Sequence, residues 1–291
     1  MKEIVIISGK GGTGKTSLSA SFAYLAREEA VIADCDVDAA NLHLLLKPDQ
    51  KLEMDFYSGW EALLEENSCI RCGKCQSVCQ FGAISSSNQG FKIDPLACEG
   101  CGYCAKVCPT QAITMKEALT GKLYQSETRM KSPMVHASME IGAENSGKMV
   151  SQIKAVGREI AREKGKEYLL VDGSPGIGCP VIASLTGAKL VVMVTEPTVS
   201  GLHDLQRVHQ LVKRFGIKAV CIVNKADLNT DKTREIHQFL QQNGMECVGE
   251  LPFQKEFVSA MVKGTTIPEY HEGLGLRMQQ IWENIKSIIN N

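Results

Sequence analysis

The sequence predicts an α/β fold, with a mostly parallel sheet flanked by helices and a cysteine-rich insertion. Short continuous apolar segments alternate with amphipathic helical segments along most of the chain, which is typical of parallel strands covered on both faces. Eight of the twelve cysteines, by contrast, lie between Cys69 and Cys108. With 291 residues, the chain is long enough for two structural units or for one large domain that carries an insertion.

The alternation of strands and helices begins at the N-terminus. Glu3 to Ser8 is predicted to be a buried strand because its apolar residues are mostly β-branched and uninterrupted. A glycine-rich turn and a helix from about Thr16 to Arg27 follow, and Ala30 to Ala33 is predicted as a second strand, which ends at Asp34. Later in the chain, buried strands are predicted at Tyr168–Asp172, Leu190–Thr195 and Ala219–Val223, and helices at about Ser146–Lys164, Gly201–Phe215 and Lys232–Asn243.

The middle of the chain departs from this alternation. Between Ser68 and about Met115 no helix or strand of useful length is predicted, and cysteine replaces the aliphatic residues as the core-forming element. Two stretches of alternating polarity follow, Lys122–Gln125 and Met134–Met139, and the turn between them predicts an antiparallel pair.

The last segment, from Leu274 to Ile289, carries apolar residues at helical spacing. Its only basic residues are Arg277 and Lys286, whereas a helix that binds a membrane surface needs a strongly basic polar face. The segment is therefore predicted to dock onto the domain.

Charge and apolar length argue against several classes of function. Thirty-two Lys and Arg residues balance thirty-three Asp and Glu residues, so the net charge of -1 gives no reason to expect nucleic acid or an anionic membrane as a partner. No apolar stretch approaches the roughly 18 residues that span a bilayer, and the N-terminus has no signal-peptide core. A cytoplasmic protein is expected, and dense cysteine there indicates metal binding rather than disulfides.

A glycine-rich loop follows the first predicted strand and precedes the first predicted helix. Its sequence, GKGGTGKT, matches G-x-x-x-x-G-K-[ST] in full. In such loops backbone N–H groups surround phosphate oxygens, the lysine (Lys15) reaches the β- and γ-phosphates, and the threonine hydroxyl (Thr16) joins Mg²⁺. The predicted nucleotide-binding residues of the loop are Gly9, Gly11, Gly12, Thr13, Gly14, Lys15, Thr16 and Ser17.

A second lysine, Lys10, lies inside this loop, which therefore resembles the deviant loop of the MinD/ParA-type ATPases, a family that includes the nitrogenase iron protein. The resemblance implies that Lys10 reaches across a nucleotide-sandwich homodimer to the phosphates of the partner. The segment from Asp34 to Asp36 resembles the first switch of the family, in which Asp36 matches the aspartate that positions the attacking water. Asp172 ends an apolar strand, as the Mg²⁺-binding aspartate of such sites does.

Further stretches carry the same resemblance. Gly173–Gly176 resembles the second switch, although Ser174 stands where the family often has proline. Asn224 stands where the family contacts the base, and Pro252 and Phe253 lie in a segment that resembles its base-bracketing loop. The four residues from Asn224 to Asp227 also fit the Asn-Lys-x-Asp pattern of GTPases. Adenine is favoured because the deviant loop and the late proline segment belong to the ATPase family.

The cysteine block contains two runs with the same C-x2-C-x2-C-x3-C spacing, that of bacterial ferredoxins. In those proteins the fourth cysteine of each run ligates the cluster of the other run. The crossed pattern assigns one [4Fe–4S] cluster to Cys69, Cys72, Cys75 and Cys108, and a second to Cys98, Cys101, Cys104 and Cys79. Two zinc sites are the competing interpretation, but three cysteines at strict two-residue intervals with a fourth beyond, repeated once, are less typical of zinc.

A ferredoxin module inserted into a MinD/ParA-type ATPase is a family arrangement that this chain resembles from end to end. The resemblance implies ATP, Mg²⁺ and two [4Fe–4S] clusters as cofactors. It divides the chain into a first part of the ATPase domain at residues 1–66, an inserted module at 67–115 and a second part of the ATPase domain at 116–291.

Two functions are compatible with these parts. In the first, ATP binding and hydrolysis at a homodimer interface gate electron transfer through the clusters to an electron-accepting protein. In the second, the clusters are cargo or sensor, and the ATPase serves iron–sulfur or metal-cofactor assembly with a cluster-accepting protein. Complete cysteine ligation favours retention of the clusters and therefore electron transfer. A positioning ATPase is disfavoured by the balanced charge and by the absence of a membrane-binding helix.

The cysteines outside the block are expected to be structural. Cys35, Cys221 and Cys247 are predicted to pack in or near the core. Cys179 lies just past the second switch, where the nitrogenase iron protein carries a ligand of its bridging cluster, but no second such cysteine is identified, and packing is favoured. The six histidines show no metal-ligand spacing.

Overall fold

The computed structural model describes residues 1–140, 142 and 145–290. The strands within them are β1 (Lys2–Ser8), β2 (Ala30–Asp34), β3 (Asp49–Leu64), β4 (Ile84–Ser87), β5 (Gly90–Ile93), β6 (Ile113–Glu127), β7 (Pro133–Met139), β8 (Tyr168–Pro175), β9 (Leu190–Thr195), β10 (Lys218–Asn224) and β11 (Glu246–Leu251). The α-helices are α1 (Lys15–Ala26), α2 (Leu42–Leu46), α3 (Lys74–Val78), α4 (Tyr103–Val107), α5 (Ser146–Glu163), α6 (Cys179–Leu185), α7 (Val199–Arg214), α8 (Thr230–Gln242), α9 (Glu256–Lys263), α10 (Ile267–Tyr270) and α11 (Glu272–Asn290).

Nine of these strands form one sheet, in the order β11-β10-β9-β1-β8-β2-β7-β6-β3. Every pairing from β11 to β7 is parallel. The central strands are buried along almost their whole length because helices cover both faces, which explains their continuous apolar sequences. The predicted α/β class with a mostly parallel sheet is confirmed, and each strand and helix predicted outside the cysteine block lies within a few residues of an observed one.

The edge of the sheet at β3 was not predicted. β3 runs from Asp49 to Leu64 and is mostly exposed, so it lacks the apolar continuity that identifies the central strands. The predicted stretch Lys122–Gln125 is only part of β6, which starts at Ile113. β6 and β7 are neighbours in the sheet, with Tyr124 and Ser138 joined by a hydrogen bond of 3.1 Å between their hydroxyls.

The described chain divides into two compact units, and β3 and β6 run along the chain from one unit to the other. The first unit comprises Met1–Met54, Lys122–Ser138 and the residues from Ser146 onward. The second comprises Asp55–Gly121 and the described residues between Met139 and Asn145. The second unit contains the range 67–115 and extends beyond it at both ends. Within that range the structure has four short elements, α3, β4, β5 and α4, where no useful helix or strand was predicted.

The C-terminal helix α11 packs on the first unit, as its apolar spacing predicts. Trp282 is almost completely buried, stacks on Phe22 at 5.7 Å between ring centroids and meets Tyr168 edge-on at 5.5 Å. Ile281 lies so close to Gly249 that a Cβ there would approach it to 2.4 Å. The helix therefore closes the core beside β11. No helix in the described part of the chain is long and apolar enough to cross a membrane.

Replacement of Trp282, the side chain at the centre of the contact between α11 and the core, should destabilise the first unit. Trp282→Ala removes a buried indole and leaves a cavity, so we expect a loss of about 3–5 kcal/mol in the free energy of unfolding. Leu276→Ala is the matched control on the same helix, because Leu276 is 62% exposed, and its cost should stay within about 0.5 kcal/mol. Urea unfolding followed by circular dichroism measures both, and equal effects would contradict the docking of α11.

Candidate nucleotide site and cysteine-lined cavities

The glycine-rich loop connects the end of β1 to the start of α1 at the carboxyl edge of the parallel sheet. Gly12 and Gly14 have φ values of 78° and 91°, in the left-handed region that favours glycine. A Cβ on Gly14 would lie 2.4 Å from Nδ2 of Asn224, so the loop approaches β10 too closely for a side chain at this position. The loop leads directly into the N-terminus of α1. The free backbone N–H groups of a helix N-terminus after a glycine-rich loop form an arrangement that binds phosphate.

Lys15 lies buried between two carboxylates. Its Nζ is 2.9 Å from Oδ1 of Asp172 and 3.1 Å from Oδ2 of Asp36. Burial by itself lowers the pKa of Lys15, but attraction to Asp172 and then to Asp36 outweighs it, and the pKa lies above its ordinary value. The same oxygen of Asp172 also accepts a hydrogen bond of 2.7 Å from Ser19. The residues predicted to bind phosphate (Lys15), to bind Mg²⁺ (Asp172) and to position the attacking water (Asp36) are thus together in one cluster.

A third carboxylate, that of Asp34, joins this cluster. Asp34 and Asp172 are register partners on the adjacent parallel strands β2 and β8. Complete burial, and then the charge of Asp172, raise the pKa of Asp34 to about 8. The predictions did not name Asp34 as a site residue. The signal for it was present, because two predicted strands each end in aspartate at the same edge of the sheet.

The cluster fits a divalent cation. The carboxylates of Asp36 and Asp172 contact the one ammonium group of Lys15, and the carboxyl group of Asp34 is buried beside them, so acidic groups exceed basic ones in a buried place. Within the described part of the chain, the buried side-chain oxygens without a hydrogen-bond partner are Oγ1 of Thr13, Oδ2 of Asp34 and Oδ2 of Asp172. All three lie in the loop or at the strand ends beside it, and carboxylate oxygens are ligands that Mg²⁺ prefers.

Lys10 is held within its own chain. Its Nζ lies 2.7 Å from Oε1 of Glu196, 2.9 Å from Oγ of Ser200 and 3.3 Å from Oγ1 of Thr198. The other oxygen of Glu196 lies 2.7 Å from Nζ of Lys225, which also donates to the carbonyl of Gly12 at 3.1 Å. One carboxylate therefore bridges two lysines over the glycine-rich loop.

The two lysines favour the charged form of this bridging carboxylate. Burial acts to raise the pKa of Glu196, but hydrogen bonds from Lys10 and Lys225 outweigh it, and the pKa lies below its ordinary value. Lys10 is therefore engaged by a charged partner within its own chain. Sequence reasoning did not single out Glu196, since nothing in the local sequence indicates its distant partners.

The residues predicted to contact the base lie beside the loop. Asn224 donates from Nδ2 to the carbonyl of Thr13 at 2.8 Å and accepts from the backbone N–H of Lys225 at 3.0 Å, so its amide braces the loop. Oδ1 of Asp227 accepts a hydrogen bond of 2.6 Å from the backbone N–H of Phe253, whose ring is 44% exposed. This bond joins the Asn224–Asp227 segment to the Pro252 segment, and their contact with a base stays a prediction.

Two cavities in the second unit are lined by cysteine. One is lined by the four cysteines Cys69, Cys72, Cys75 and Cys108. The other is lined by Cys79, Cys98, Cys101 and Cys104. The structure thus brings together each of the two sets of four side chains that the crossed spacing predicts, with apolar residues such as Ile84, Ile113 and Phe91 completing the walls.

The two halves of the cysteine block repeat one backbone conformation. α3 and α4 have five residues each and are preceded by glycines with nearly equal φ, 75° at Gly73 and 74° at Gly102. Cys79 and Cys108, which end them, both have φ of -73°. Left-handed residues recur at matching places in the two runs, namely Arg71 with Gly100 and Gly82 with Gln111. The internal sequence repeat therefore corresponds to a structural one.

The remaining cysteines divide into buried and accessible ones. Cys35 and Cys221 are completely buried, as predicted, and burial raises the pKa of both thiols above the ordinary value. Cys179 is exposed at the start of α6, whereas it was expected to be packed inside the protein. Cys247, on β11, is only half-buried.

Residues 4–267 match the model of the CbiA family, described as the CobQ/CobB/MinD/ParA nucleotide binding domain. The chain belongs to this family. The resemblance inferred from the glycine-rich loop is confirmed at this level, and the protein is a nucleotide-binding protein of the MinD/ParA type.

One relative is similar to this chain in sequence, and two solved structures are similar to it in fold. The uncharacterized protein MJ0578 of Methanocaldococcus jannaschii is 38% identical over 231 residues, which cover 78% of this chain and 79% of that protein. The fold is similar to that of the septum site-determining protein MinD in complex with Mg-ADP from Pyrococcus horikoshii, with a TM-score of 0.59, 16% identity and coverage of 99% and 96%. It is also similar to a chain of the MinC:MinD cell division protein complex of Aquifex aeolicus, with a TM-score of 0.57, 18% identity and coverage of 100% and 96%.

Ser174, which departs from the MinD/ParA-type pattern, forms a hydrogen bond between two segments of the site. The Ser174 hydroxyl donates a hydrogen bond of 2.7 Å to the carbonyl of Cys35, which joins the segment that resembles the second switch to the one that resembles the first. The backbone N–H of Cys35 in turn donates to the carbonyl of Asp172 at 2.8 Å. Proline at position 174 could not supply the first of these bonds, so the two segments are tied together here by a contact that proline would abolish.

The buried Asp34 predicts a pH dependence of stability without Mg²⁺. Its pKa is about 8 in the folded chain against an ordinary value of 3.8, so the protonated carboxyl favours folding. This contribution is complete below about pH 4 and is lost as the pH rises towards about 8. In a chelating buffer, the unfolding temperature of the wild type should fall more between about pH 5 and about pH 8 than that of Asp34→Asn, which cannot ionise.

The exposed carboxylate Asp231 provides the matched control, and Asp231→Asn should follow the wild type. Mg²⁺ with nucleotide should reduce the fall in the wild type because a bound cation compensates the charge of the ionised carboxylate. Parallel profiles for the wild type and Asp34→Asn in the chelating buffer would contradict the assignment.

Proposed function

We propose that the protein is an ATP-dependent iron–sulfur protein, in which ATP binding and hydrolysis at a homodimer interface gate electron transfer through two [4Fe–4S] clusters to a partner protein. One observation carries the proposal: a chain with a phosphate-binding loop and a buried Lys15 also has two cavities, each lined by four cysteines. We further propose a cytoplasmic location, because a reducing compartment preserves such thiols.

The thiol sets support iron–sulfur clusters by their chemistry. Burial, and the proximity of Cys69 and Cys108, raise the pKa of Cys75, and burial with neighbouring Cys98 and Cys101 raises that of Cys104. Four neighbouring thiolates are therefore unfavourable unless iron compensates their charge. Within the module proposed at residues 67–115, Cys69, Cys72, Cys75 and Cys108 would hold one cluster, and Cys98, Cys101, Cys104 and Cys79 the other.

Hydrolysis of ATP would use the cluster of charges at the end of β1. Lys15 would exchange Asp36 and Asp172 for the β- and γ-phosphates, which frees Asp36 to accept a hydrogen bond from the attacking water. Asp172 and the Thr16 hydroxyl would hold Mg²⁺, which supplies positive charge to the phosphate oxygens. The remaining amides of the loop, from Gly9 to Ser17, would bind the phosphates, with Asn224, Pro252 and Phe253 beside the adenine base.

The homodimer would engage Lys10. The Glu196 contact that holds this lysine in its own chain would break when two subunits close, and Lys10 would then neutralise phosphate charge on the partner's nucleotide. MinD takes part in a complex with MinC in the Aquifex aeolicus structure. By analogy, we propose that a second protein binds this ATPase and accepts the electrons.

A carrier function is the second candidate, and one observation favours it. Cys72 and Cys101, the second cysteines of the two runs, are exposed. An acceptor thiol could reach either of them, as transfer of a cluster requires, whereas exchange in a buried site would be slow. We place electron transfer first because four thiols line each cavity. A cluster that is bound by all four would have no coordination position left for a thiol of the acceptor protein.

Iron retention distinguishes the two candidates. The cluster-loaded protein is incubated under anaerobic conditions with a cysteine-containing apo-ferredoxin and a mild iron chelator, with and without Mg-ATP, and iron is measured on each protein after separation. The electron-transfer proposal expects iron to stay with this chain and the reduced clusters to be oxidised by a one-electron acceptor in an ATP-dependent manner. Stoichiometric, ATP-dependent movement of iron to the apo-ferredoxin would overturn it in favour of carriage.

The dimer proposal predicts separable roles for the two lysines of the loop. Lys10→Ala should retain nucleotide binding, because Lys15 and the loop amides remain, but it should lose about 10³-fold in the rate of hydrolysis together with ATP-dependent dimerisation. Lys15→Ala should instead weaken nucleotide binding itself. Both variants should keep their iron, because the proposed cluster ligands lie in the other unit. Normal hydrolysis by Lys10→Ala would rule out catalysis supplied by the partner.

A further inference from the structure

Three side chains with metal-binding atoms converge on the outer part of the sheet, in the first unit. His237 lies on α8, and Cys247 and Glu250 lie on β11. The imidazole nitrogen, the thiol sulfur and a carboxylate oxygen all lie within 4.8 Å of one another. The Nε2 atom of His237 is 2.7 Å from Oε1 of Glu250. Sequence analysis assigned none of the histidines to a metal, because these three residues share no local spacing.

A β-bulge brings the two strand residues to one face. Regular alternation would point Cys247 and Glu250 to opposite faces of β11. The register between β10 and β11 shifts between Cys221 and Ile222, which pair with Cys247 and Gly249, so β11 has one additional residue. Bulges of this kind re-aim side chains and are common next to functional sites.

The packing of the two intervening residues agrees with this geometry. Val248 is buried in the core cluster that contains Ile281 of α11, and a Cβ on Gly249 would meet Ile281 at 2.4 Å. Both residues therefore face α11, which leaves Cys247 and Glu250 on the opposite face, towards His237 on α8. The bulge produces this convergence: if residues 247 to 250 alternated regularly, Glu250 would lie on the face that packs against α11.

We propose that His237, Cys247 and Glu250 form a zinc-binding site. Imidazole, thiolate and carboxylate are the three side-chain types that bind Zn²⁺, and three protein ligands leave a fourth tetrahedral position for water or another ligand. Binding of Zn²⁺ would release the thiol proton of Cys247 to solvent. It would also replace the contact between His237 and Glu250 by one bond from each of these residues to the metal. A pair formed by histidine and glutamate alone would be an ordinary surface contact. The half-buried thiol beside it adds the soft ligand that favours zinc.

The position of the site gives the zinc a mechanical role. It would link α8 to the end of β11, only two residues before Pro252. The next residue, Phe253, donates its backbone N–H to Asp227, which lies just before α8 in the chain. The metal would therefore join His237 of α8 to Glu250 of β11, while the hydrogen bond between Phe253 and Asp227 joins the other ends of the same two segments.

The test is a zinc titration of the full chain, with its cluster cysteines first loaded with iron under anaerobic conditions. Calorimetry and bound-metal analysis should find one zinc per chain in the wild type, with no loss of iron. Cys247→Ser, His237→Gln and Glu250→Gln should each weaken binding by at least about 10- to 100-fold, since even second-sphere changes have effects of this size. Cys179→Ser is the matched control: it removes an exposed thiol outside the trio and should bind like the wild type.

X-ray absorption at the zinc edge identifies where the metal lies. The proposal expects one sulfur at about 2.3 Å together with nitrogen and oxygen ligands at about 2.0–2.2 Å. Zinc surrounded by four sulfurs would place it in the cysteine-lined cavities and overturn the proposal. Failure to bind one zinc, or unchanged binding by Cys247→Ser, would overturn it as well. Circular dichroism of each variant verifies the fold, so that a loss of binding is not a loss of structure.

Discussion

The first unit depends on how one buried lysine compensates a group of buried carboxylates. Parallel strands that end at the same edge of a sheet bring their terminal residues together, and here β2 and β8 bring Asp34 and Asp172 into register. Lys15 makes this arrangement tolerable because its ammonium group contacts Asp172 and Asp36. It does so only in part, because an excess of negative charge and unpaired oxygens remain. The remaining negative charge and the unpaired oxygens favour binding of a cation. Lys15 can exchange its carboxylate partners for phosphate oxygens, and a site that transfers phosphate needs both properties.

The parts of this molecule that follow from local sequence were predicted, and those that depend on distant pairing were not. Continuous apolar segments identified the central strands because both of their faces are covered, and the glycine-rich loop was identified by its full motif. β3 was missed because it is mostly exposed at the edge of the sheet, so its sequence carries no pattern of burial. Asp34 was present in a recognised segment, but its partner on β8 depends on strand order, which a sequence does not contain.

The same distinction applies to polar clusters. Glu196 contacts Lys10 and Lys225, which are far from each other in the chain, and no spacing rule connects them. The His237, Cys247 and Glu250 group needs both a helix-to-strand contact and an extra residue in β11. The cysteine block is the opposite case. The spacing within each run brings three of its cysteines together, and the ferredoxin pattern of the two runs predicts that the fourth cysteine of each groups with the other run, so both sets could be predicted before their positions were known.

The bridging position of Glu196 has a consequence for the energetics of self-association. In the single chain, this carboxylate forms the ion pair with Lys10 that a phosphate oxygen of the partner's nucleotide would form in the proposed homodimer. In such a homodimer, two chains that meet without nucleotide would gain no ion pair from Lys10, because its contact with Glu196 must break before another can form. Mobile ions screen partly exposed contacts of this kind. Higher ionic strength would therefore weaken both the ion pair between Lys10 and Glu196 and the ion pair with phosphate that would replace it. In the proposed homodimer, Glu196 would thus oppose association of two chains in the absence of nucleotide.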